Sequence, residues 1–352
     1  MIAWTVVLAG GTGSRFWPVS SPERPKQLLP LVDAHPMLAN SLARMAPLAA
    51  AAETLVLTNA ALVRDVRTLA PQLPAENVIA EPRPAGTAAA LAWAAHVVSR
   101  RGGAEALMYC VHADWSIGDV PRYQSALRLA GEVAVAERAL VTIGVVPSRP
   151  DPGFGYIQPE MVSGPGARRV ARFVEKPTRE VAQQFVDAGF LWNSGIFVWQ
   201  AGVFLEELER HCLEVAPALS AHPDDADAFF AAVKKPIAVD VGVLERSDRV
   251  FVVPGDFGWD DVGTWAALHR VRVHDAHGNA VSGVAHVVDA RGNVVHAERG
   301  TVVLYGVDDL VVVTRPGLTL VTTREQSADL KTLLDALPAS VRELRPRAED
   351  GA

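Results

Sequence analysis

A glycine-rich stretch near the amino terminus carries residue types that suit a bound polyphosphate. A short apolar run ends in three glycines, Gly10, Gly11 and Gly13, and two cations follow, Arg15 and Lys26. Glycine lacks a Cβ atom, so such a loop can close on a ligand and turn its backbone N–H groups toward phosphate. Arginine adds a fork-shaped cation and lysine a point charge. The stretch therefore predicts a polyphosphate site.

A glycine-rich loop alone is weak evidence, because an ordinary strand-to-helix turn has the same composition. Two familiar phosphate loops are excluded by pattern. A Walker loop needs G-x-x-x-x-G-K followed by Ser or Thr, and the chain has no such string. A dinucleotide fingerprint needs G-x-G-x-x-G, and Phe16 stands at the place of the last glycine. The loop must therefore be interpreted together with the rest of the chain.

Alternating strand and helix patterns follow the loop. The apolar run 2–9 predicts a buried strand, 106–111 predicts another, and 88–101 predicts a long helix with Thr87 as its N-cap. This alternation indicates an α/β fold with a largely parallel sheet. Ligands gather at the carboxyl ends of strands in such sheets, and the glycine loop, Glu81 and Asp114 fall there.

The pattern changes from Asn279 onward, where short β-rich pieces are separated by Gly, Asp, Asn or Pro. Five short strands with turns predict a small β-solenoid or barrel-like domain, followed by a helix at 327–337. We therefore expect a large α/β domain over 1–275, a small β-rich domain over 276–337 and a loose tail over 338–352. The predicted strands are 284–288, 293–296, 302–305, 310–313 and 319–322.

Composition narrows the class of protein. The chain has 352 residues, of which 49% are hydrophobic, so it can bury a sizeable core. A net charge of −7 argues against general binding to nucleic acid or to a membrane surface. Two distant cysteines, Cys110 and Cys212, fit a reducing compartment. No run approaches the roughly 20 apolar residues of a membrane span. We expect a cytoplasmic protein.

Two aspartates could hold a metal ion. Asp114 follows a predicted strand, and Mg²⁺ needs only one or two protein carboxylates beside phosphate oxygens. For an isolated aspartate a turn or a helix cap is the more common explanation. Asp261 is the proposed partner of Asp114. An acidic turn would explain Asp260 and Asp261 but not the Trp and Gly residues around them. Two carboxylates from distant parts of the chain suit a metal ion between phosphates.

The loop as a whole resembles that of sugar-nucleotide pyrophosphorylases, G-G-x-G-x-R followed by P-K. The strings R-F-W-P at 15–18 and P-K-Q at 25–27 resemble the mannose-1-phosphate guanylyltransferase family in particular. Residues 111–117 are similar to that family's P-A-D-H-x-I motif, with His112 in place of Pro and Trp115 in place of His.

Four further strings resemble motifs of the same family. They occur in family order and are G-Y-I at 155–157, V-E-K-P at 174–177, N-S-G-I-F at 193–197 and G-W-D-D-V-G-T-W at 258–265. In the last of these strings, Asp261 falls on the acidic residue of the family pattern and Asp260 falls on its variable position. Each string alone has a plainer explanation as a charged turn, a strand bulge or an Asn turn. Their shared order is not coincidence.

The resemblance implies that 1–275 is a Rossmann-like nucleotidyltransferase domain with a mostly parallel sheet, which binds nucleotide and sugar phosphate. It implies that 276–337 is a small β-helix-like domain with a closing helix. It implies that GTP and mannose 1-phosphate give GDP-mannose and pyrophosphate with Mg²⁺. The implied catalytic residues are Arg15, Lys26, Asp114 and Asp261, of which Asp114 and Asp261 are metal ligands. The implied nucleotide-binding residues are Leu8, Gly10, Gly11, Gly13, Arg15, Lys26, Glu81 and Asp114, and the sugar-phosphate-binding residues are Gly155, Glu175, Lys176 and Asn193.

One departure lies in the nucleotide pocket. The family's E-P motif is present at Glu81, but Pro84-Ala85-Gly86 replaces the usual G-R-N. Two alternatives therefore stay open: the same chemistry with another sugar 1-phosphate or nucleotide, and a non-catalytic paralogue that binds a sugar nucleotide. Bifunctional members carry an additional isomerase domain, and the length of this chain leads us to expect the monofunctional form. A homodimer through the C-terminal domain and a private core there are both compatible with its apolar strands.

Overall fold

The computed structural model describes residues 2–11, 14–160 and 166–342. Its strands are β1 (Ala3–Ala9), β2 (Thr54–Asn59), β3 (Val78–Glu81), β4 (Leu107–His112), β5 (Ser116–Ile117), β6 (Leu140–Val145), β7 (Tyr156–Pro159), β8 (Arg168–Val174), β9 (Leu191–Gln200), β10 (Val250–Gly255), β11 (Trp259–Asp260), β12 (Ala280–Val288), β13 (Val294–Tyr305), β14 (Leu310–Arg315) and β15 (Leu318–Thr323). Its α-helices are α1 (Met37–Met45), α2 (Val63–Leu69), α3 (Thr87–Gly102), α4 (Val120–Ala136), α5 (Arg179–Asp187), α6 (Ala201–His211), α7 (Ala216–Ala221), α8 (Ala226–Ala232), α9 (Trp265–Val271), α10 (Leu330–Ala336) and α11 (Ala339–Arg342).

The chain packs as two compact units, each of which is built from three separate stretches of the sequence. The first unit comprises Met1–Gly10, Ser41–Ala113 and Ile117–Trp259. The second comprises Gly11–Asn40, Asp114–Ser116 and Asp260–Ala352. The chain thus passes from the first unit to the second immediately after Gly10, after Ala113 and after Trp259.

The first unit contains a nine-stranded sheet in the order β3-β2-β1-β4-β9-β6-β10-β8-β7. β1 pairs in parallel with β2 and β4, β2 with β3, and β6 with β10. β9 runs antiparallel to β4, β6 and β7, and β8 runs antiparallel to β10 and β7. The predicted α/β class is confirmed, but the sheet is mixed, because β9 returns between β4 and β6 in the opposite direction.

The parallel register brings the ends of four strands, β1 to β4, to one edge of this sheet. Leu8 is paired with Leu57 on one side and with His112 on the other. Asn59, at the end of β2, is paired with Glu81, at the end of β3. The glycine loop and Glu81 therefore start from the same edge, as the alternation of strands and helices predicted.

Helix α3 is buried along most of its length, and its first turn is held by the chain near Ile237. Gly86 precedes the helix with φ +85° and ψ 160°. A Cβ atom on Gly86 would lie 2.3 Å from the carbonyl oxygen of Ile237. The predicted N-cap role of Thr87 is wrong: Thr87 lies inside the helix, and its Oγ1 accepts a hydrogen bond from the Val239 N–H at 2.9 Å.

The second unit contains a four-stranded sheet in the order β12-β13-β14-β15. The first two pairings are parallel and the last is antiparallel. Two buried asparagines link successive turns between these strands. Asn279 Oδ1 accepts from the backbone N–H and the side-chain amide of Asn293, and Asn293 Oδ1 accepts from the Leu310 N–H. These bonds satisfy backbone groups that the turns would otherwise leave unpaired.

Two details of the C-terminal prediction are wrong. The strands predicted at 293–296 and 302–305 are one strand, β13, which stays paired with β12 through a register shift between Ser282 and Val284. The tail predicted to be loose from 338 begins with α11, and the indole Nε1 of Trp17 donates to the carbonyl oxygen of Arg342 at 3.1 Å. Residues 343–352 lie outside the described part of the chain.

The packing units do not coincide with the predicted domains 1–275 and 276–337. The apolar core of the second unit is shared by loop residues and C-terminal strands, which include Phe16, Leu29, Trp265, Val294 and Val311. A contiguous stretch of sequence therefore does not supply a complete core for the C-terminal strands. The functions assigned to those two sequence ranges stay predictions.

The two glycines that flank α3 allow a matched test of the close approach at Gly86. Gly103 has φ +87° and ψ 162°, nearly the conformation of Gly86, but a Cβ there would meet nothing within 4 Å. We expect Gly103→Ala to cost about 1–3 kcal/mol of unfolding free energy from backbone strain. Gly86→Ala should cost roughly 1–3 kcal/mol more, because the methyl group meets the Ile237 carbonyl. Urea unfolding measures both, and equal losses would contradict this account.

Candidate active site

A buried ammonium group joins the two predicted metal ligands. The Lys26 side chain is only 9% exposed, and its Nζ lies 3.0 Å from Asp114 Oδ2. The same Nζ donates to the backbone carbonyl oxygen of Asp261 at 2.6 Å. Arg15 is exposed, and its charge acts on the Asp261 carboxyl group. We call these four residues, Arg15, Lys26, Asp114 and Asp261, the lysine cluster. The structure therefore brings together the four residues predicted to be catalytic, although they come from three separate segments of the chain.

Local contacts fix the position of Lys26. It begins a short 3₁₀ helix, Lys26–Leu28, and Leu29 just after it is fully buried. The side-chain amide of Gln27 donates to the carbonyl oxygen of Gly11 at 2.9 Å. Gln27 thus holds the glycine loop beside Lys26, a role that the sequence analysis missed although the P-K-Q string marked the residue. Gly13 lies outside the described residues.

The approach of Arg15 to Asp261 depends on Gly263. A Cβ atom at Gly263 would lie 2.7 Å from Asp261 Oδ2 and 3.3 Å from Arg15 Nη1. Burial raises the pKa of the Asp261 carboxyl group, and the charges of Lys26 and Arg15 oppose that rise. The carboxyl group is thus partly desolvated and depends on nearby positive charge.

The donor set of the lysine cluster suits Mg²⁺. Within the described residues, no group of three or more His, Cys, Asp or Glu side chains could hold a metal ion by itself. Mg²⁺ does not need such a group, since it keeps several waters and binds through one or two carboxylates and the phosphates of a substrate. Asp114 offers a carboxylate paired with the Lys26 ammonium group, and Asp261 offers a second one from a residue whose backbone carbonyl that ammonium group holds. Such a donor set fits a metal that arrives with a polyphosphate.

The first unit presents Gly10 and Glu81 at the edge of its sheet. A Cβ atom on Gly10 would lie 3.3 Å from Glu81 Oε1, so the glycine allows the carboxyl group to approach the backbone. Burial raises the pKa of Glu81 to about 7. Leu8 is buried in the core of this unit, and its carbonyl oxygen accepts the Ala113 N–H at 2.9 Å. The Leu8 side chain therefore packs inside the fold.

A second group of side chains, the sugar cluster, also lies in the first unit and consists of Gly155, Glu175, Asn193 and Asp240. The Asn193 N–H donates to the Gly155 carbonyl oxygen at 2.8 Å. A Cβ atom on Gly155 would lie 2.8 Å from Glu175 Oε2 and 3.6 Å from Asn193 Cβ. Three of the four residues predicted to bind sugar phosphate are thus in contact, and a Cβ atom at position 155 would require the exposed Glu175 carboxylate to move.

The fourth predicted residue, Lys176, extends from this cluster. It is 65% exposed, and its Nζ forms an ion pair of 2.6 Å with Glu175 Oε1. The backbone at Lys176 has φ +41°, an uncommon value for a residue with a side chain. The exposed ammonium group is accessible to an anionic ligand.

Asp240 belongs to this cluster, although it was not among the residues predicted from the sequence. The Asn193 side-chain amide donates to Asp240 Oδ1 at 2.7 Å. Asp240 begins a single π-helical turn, Asp240–Leu244, a conformation that is common near functional sites. Burial raises the pKa of Asp240, and the hydrogen bond from Asn193 opposes that rise. An acidic residue between Val239 and Val241 was the available signal in the sequence.

Residues 4–278 match the protein-family model described as Nucleotidyl transferase. The chain is also 36% identical to the mannose-1-phosphate guanylyltransferase of Escherichia coli strain K12, over 96% of this chain and 74% of that protein. The chain belongs to the mannose-1-phosphate guanylyltransferase family. It is also 35% identical to the mannose-1-phosphate guanylyltransferase ManC of Salmonella typhimurium, over 96% of this chain and 74% of that protein.

A solved structure from Thermus thermophilus, described as a mannose-1-phosphate geranyltransferase, is similar over 95% of this chain and 99% of its own. The TM-score is 0.85 and the identity is 33%. A mannose-6-phosphate isomerase structure from Helicobacter pylori gives a TM-score of 0.58 at 26% identity, over 74% of this chain and 100% of its own. In the part of the chain that the structure describes, none of the helices has the length and apolar character needed to cross a membrane.

The raised pKa of Glu81 leads to a pH-dependent prediction. Between the ordinary glutamate pKa of 4.5 and the folded-state pKa of about 7, the unfolded chain loses this proton before the folded chain does. Folding stability should therefore fall as pH rises across this window. Glu81→Gln has no such proton, so its stability relative to the wild-type protein should increase by roughly 1–3 kcal/mol between about pH 5 and pH 8.

Urea unfolding at several pH values measures this difference, and Glu76→Gln at an exposed position is the control. A constant difference between Glu81→Gln and the wild-type protein would show that the carboxyl group is not desolvated.

Proposed function

We propose that this chain transfers a guanylyl group from GTP to mannose 1-phosphate and thereby makes GDP-mannose and pyrophosphate. The observation that carries the proposal is the lysine cluster in a member of this family: Lys26 contacts both Asp114 and Asp261. A buried ammonium group that pairs with one aspartate carboxylate and holds the backbone of a second aspartate suits a polyphosphate that arrives with a divalent cation.

The chemistry requires positioning rather than a catalytic base. An oxygen of mannose 1-phosphate attacks the α-phosphorus of GTP, the bond to the β-phosphate oxygen breaks, and pyrophosphate leaves with the bonding electron pair. The attacking phosphate is already a nucleophile near neutral pH. Bringing two anions together is the main barrier, so fixed charge and orientation supply most of the rate enhancement.

The residues of the lysine cluster have separate roles in this proposal. Lys26 and Arg15 neutralise the triphosphate and the departing pyrophosphate. Asp114 and Asp261 would hold Mg²⁺, and the bound ion would neutralise charge on the phosphate oxygens. In the first unit, Gly10 lets the loop backbone approach the nucleotide, and Glu81 lies beside it at the strand edge.

The sugar cluster supplies the second set of contacts. Glu175, Asn193 and Asp240 offer hydrogen-bond acceptors and a donor suited to hexose hydroxyl groups. Lys176 offers an exposed cation for the sugar phosphate. We further propose that the chain works in the cytoplasm and that β12 to β15 form a β-helix-like domain through which two chains pair.

Pyrophosphate release tests the substrate assignment. GTP, ATP, UTP and dTTP are each combined with mannose 1-phosphate and with glucose 1-phosphate in the presence of Mg²⁺. We expect strong preference for GTP with mannose 1-phosphate. Release with a different pair would reassign the substrates, and no release with any pair would favour a binding-only paralogue.

The role of Lys26 gives a sharper prediction. Lys26→Met removes the ammonium group that faces Asp114 and Asp261, so turnover should fall by about 10²–10³-fold or more. Asp114→Asn should cause a loss of similar size. Lys234→Met at an exposed position is the control and should keep full activity. Circular dichroism distinguishes lost chemistry from lost folding, and a folded Lys26→Met enzyme with wild-type turnover would refute the assignment.

A further inference from the structure

Asp260, the residue immediately before Asp261, is buried and makes several hydrogen bonds with its surroundings. Asp260 is 6% exposed, yet it carries a carboxylate. The guanidinium group of Arg270, on α9, donates to Asp260 Oδ2 through Nε at 2.7 Å and to Oδ1 through Nη2 at 3.1 Å. A bidentate salt bridge of this kind fixes the orientation of the carboxylate as well as balancing its charge.

The same carboxylate holds the backbone on the far side of Asp261. Asp260 Oδ1 accepts the Val262 N–H at 2.8 Å. Val262 has φ +48°, which is a genuine outlier for a β-branched residue. Its side chain is fully buried in the core that contains Phe16 and Trp265. The Asp260 cap and the buried Val262 side chain therefore maintain a backbone conformation that the residue would not adopt alone.

This turn determines where Asp261 can point. Its carbonyl oxygen is held by Lys26 Nζ, and Gly263 leaves room for Oδ2 on the other side. The two adjacent aspartates thus differ: both oxygens of Asp260 accept hydrogen bonds from protein donors, whereas the Asp261 carboxylate lies beside Gly263 and near the charges of Lys26 and Arg15.

We propose that Asp260 and Arg270 are positioning residues for Asp261, acting through the strained turn at Val262. The inference rests on the proposed function and adds a residue pair to it. The plainer alternative is an ion pair that only stabilises the end of α9.

Four variants separate the two explanations. Asp260→Ala removes both the cap and the ion pair, whereas Asp260→Asn keeps an acceptor for the Val262 N–H. Arg270→Gln removes the ion pair alone, and Asp260→Ala combined with Arg270→Gln tests coupling. Glu214→Ala is the matched control, because it breaks another two-bond pair, with Arg246 at 3.0 and 3.0 Å, in the first unit.

The readouts are kcat, KM for each substrate, thermal stability, and GTP binding measured by calorimetry with Mg²⁺ and with EDTA. In Asp260→Ala we expect kcat to fall about 100-fold, as a misplaced group causes, with KM for mannose 1-phosphate unchanged. The gain in GTP affinity that Mg²⁺ gives the wild-type enzyme should be lost, while binding in EDTA stays the same. The double variant should be no worse than Asp260→Ala alone.

Asp260→Asn should retain kcat within about tenfold of the wild-type value, because its amide oxygen can still cap Val262. Glu214→Ala should keep wild-type kinetics whatever its thermal stability. If Asp260→Ala does not fold, Arg270→Gln is the variant to measure. We expect it to lose less kcat and less Mg²⁺-dependent GTP affinity than predicted for Asp260→Ala.

Wild-type kcat and Mg²⁺-dependent GTP binding in the folded Asp260 and Arg270 variants would overturn the inference while leaving the proposed function intact. A loss of thermal stability with unchanged kinetics would do the same. A wild-type enzyme that neither binds GTP nor releases pyrophosphate would overturn the proposed function, and the inference with it.

Discussion

The position of one ammonium group is the constraint on which this site depends. Lys26 is almost completely buried and makes an ion pair with Asp114 while donating to the carbonyl oxygen of Asp261. A buried cation is costly unless it is paired, so these contacts offset the cost of burying the ammonium group. The same contacts connect Asp114 and Asp261, the two residues proposed to hold the metal ion, through one side chain.

Several nearby features reduce the freedom of this arrangement. Gln27 holds Gly11 beside the lysine, Gly263 leaves space for the Asp261 carboxylate, and Asp260 caps the turn at Val262. The apolar core of the second unit, with Phe16, Leu29 and Trp265, includes residues from both chain segments that carry Lys26 and Asp261. Rigid packing of this kind is what a reaction between two anions requires, because its barrier is lowered mainly by orientation and fixed charge.

Much of this could be predicted from the sequence, because the chemistry resides in short local strings. The glycine loop, Lys26, Asp114 and Asp261 were identified from residue type and pattern, and the structure brings the last three together. Strand periodicity predicted the α/β class, but it could not show that β9 enters the sheet in the opposite direction, since an antiparallel strand between buried neighbours has the same apolar composition.

The features that were missed depend on tertiary contacts. Asp240 is linked to Asn193 across 47 positions, and Asp260 has a role only through Arg270 and the conformation of Val262. The merging of two predicted strands into β13 depends on pairing with β12 rather than on the apolar pattern of residues 297–301. Likewise, α11 at 339–342 is joined to the distant Trp17 by a hydrogen bond from its indole to the carbonyl oxygen of Arg342. Such long-range pairings leave no periodic signal in the sequence.

The most direct test of the central claim is the position of a divalent cation in crystals soaked with GTP and Mn²⁺, located by anomalous diffraction. The account predicts one manganese peak at roughly 2.0–2.3 Å from carboxylate oxygens of both Asp114 and Asp261, with Lys26 displaced toward the phosphates. A peak that contacts neither carboxylate, in crystals where the GTP triphosphate is clearly bound, would contradict it.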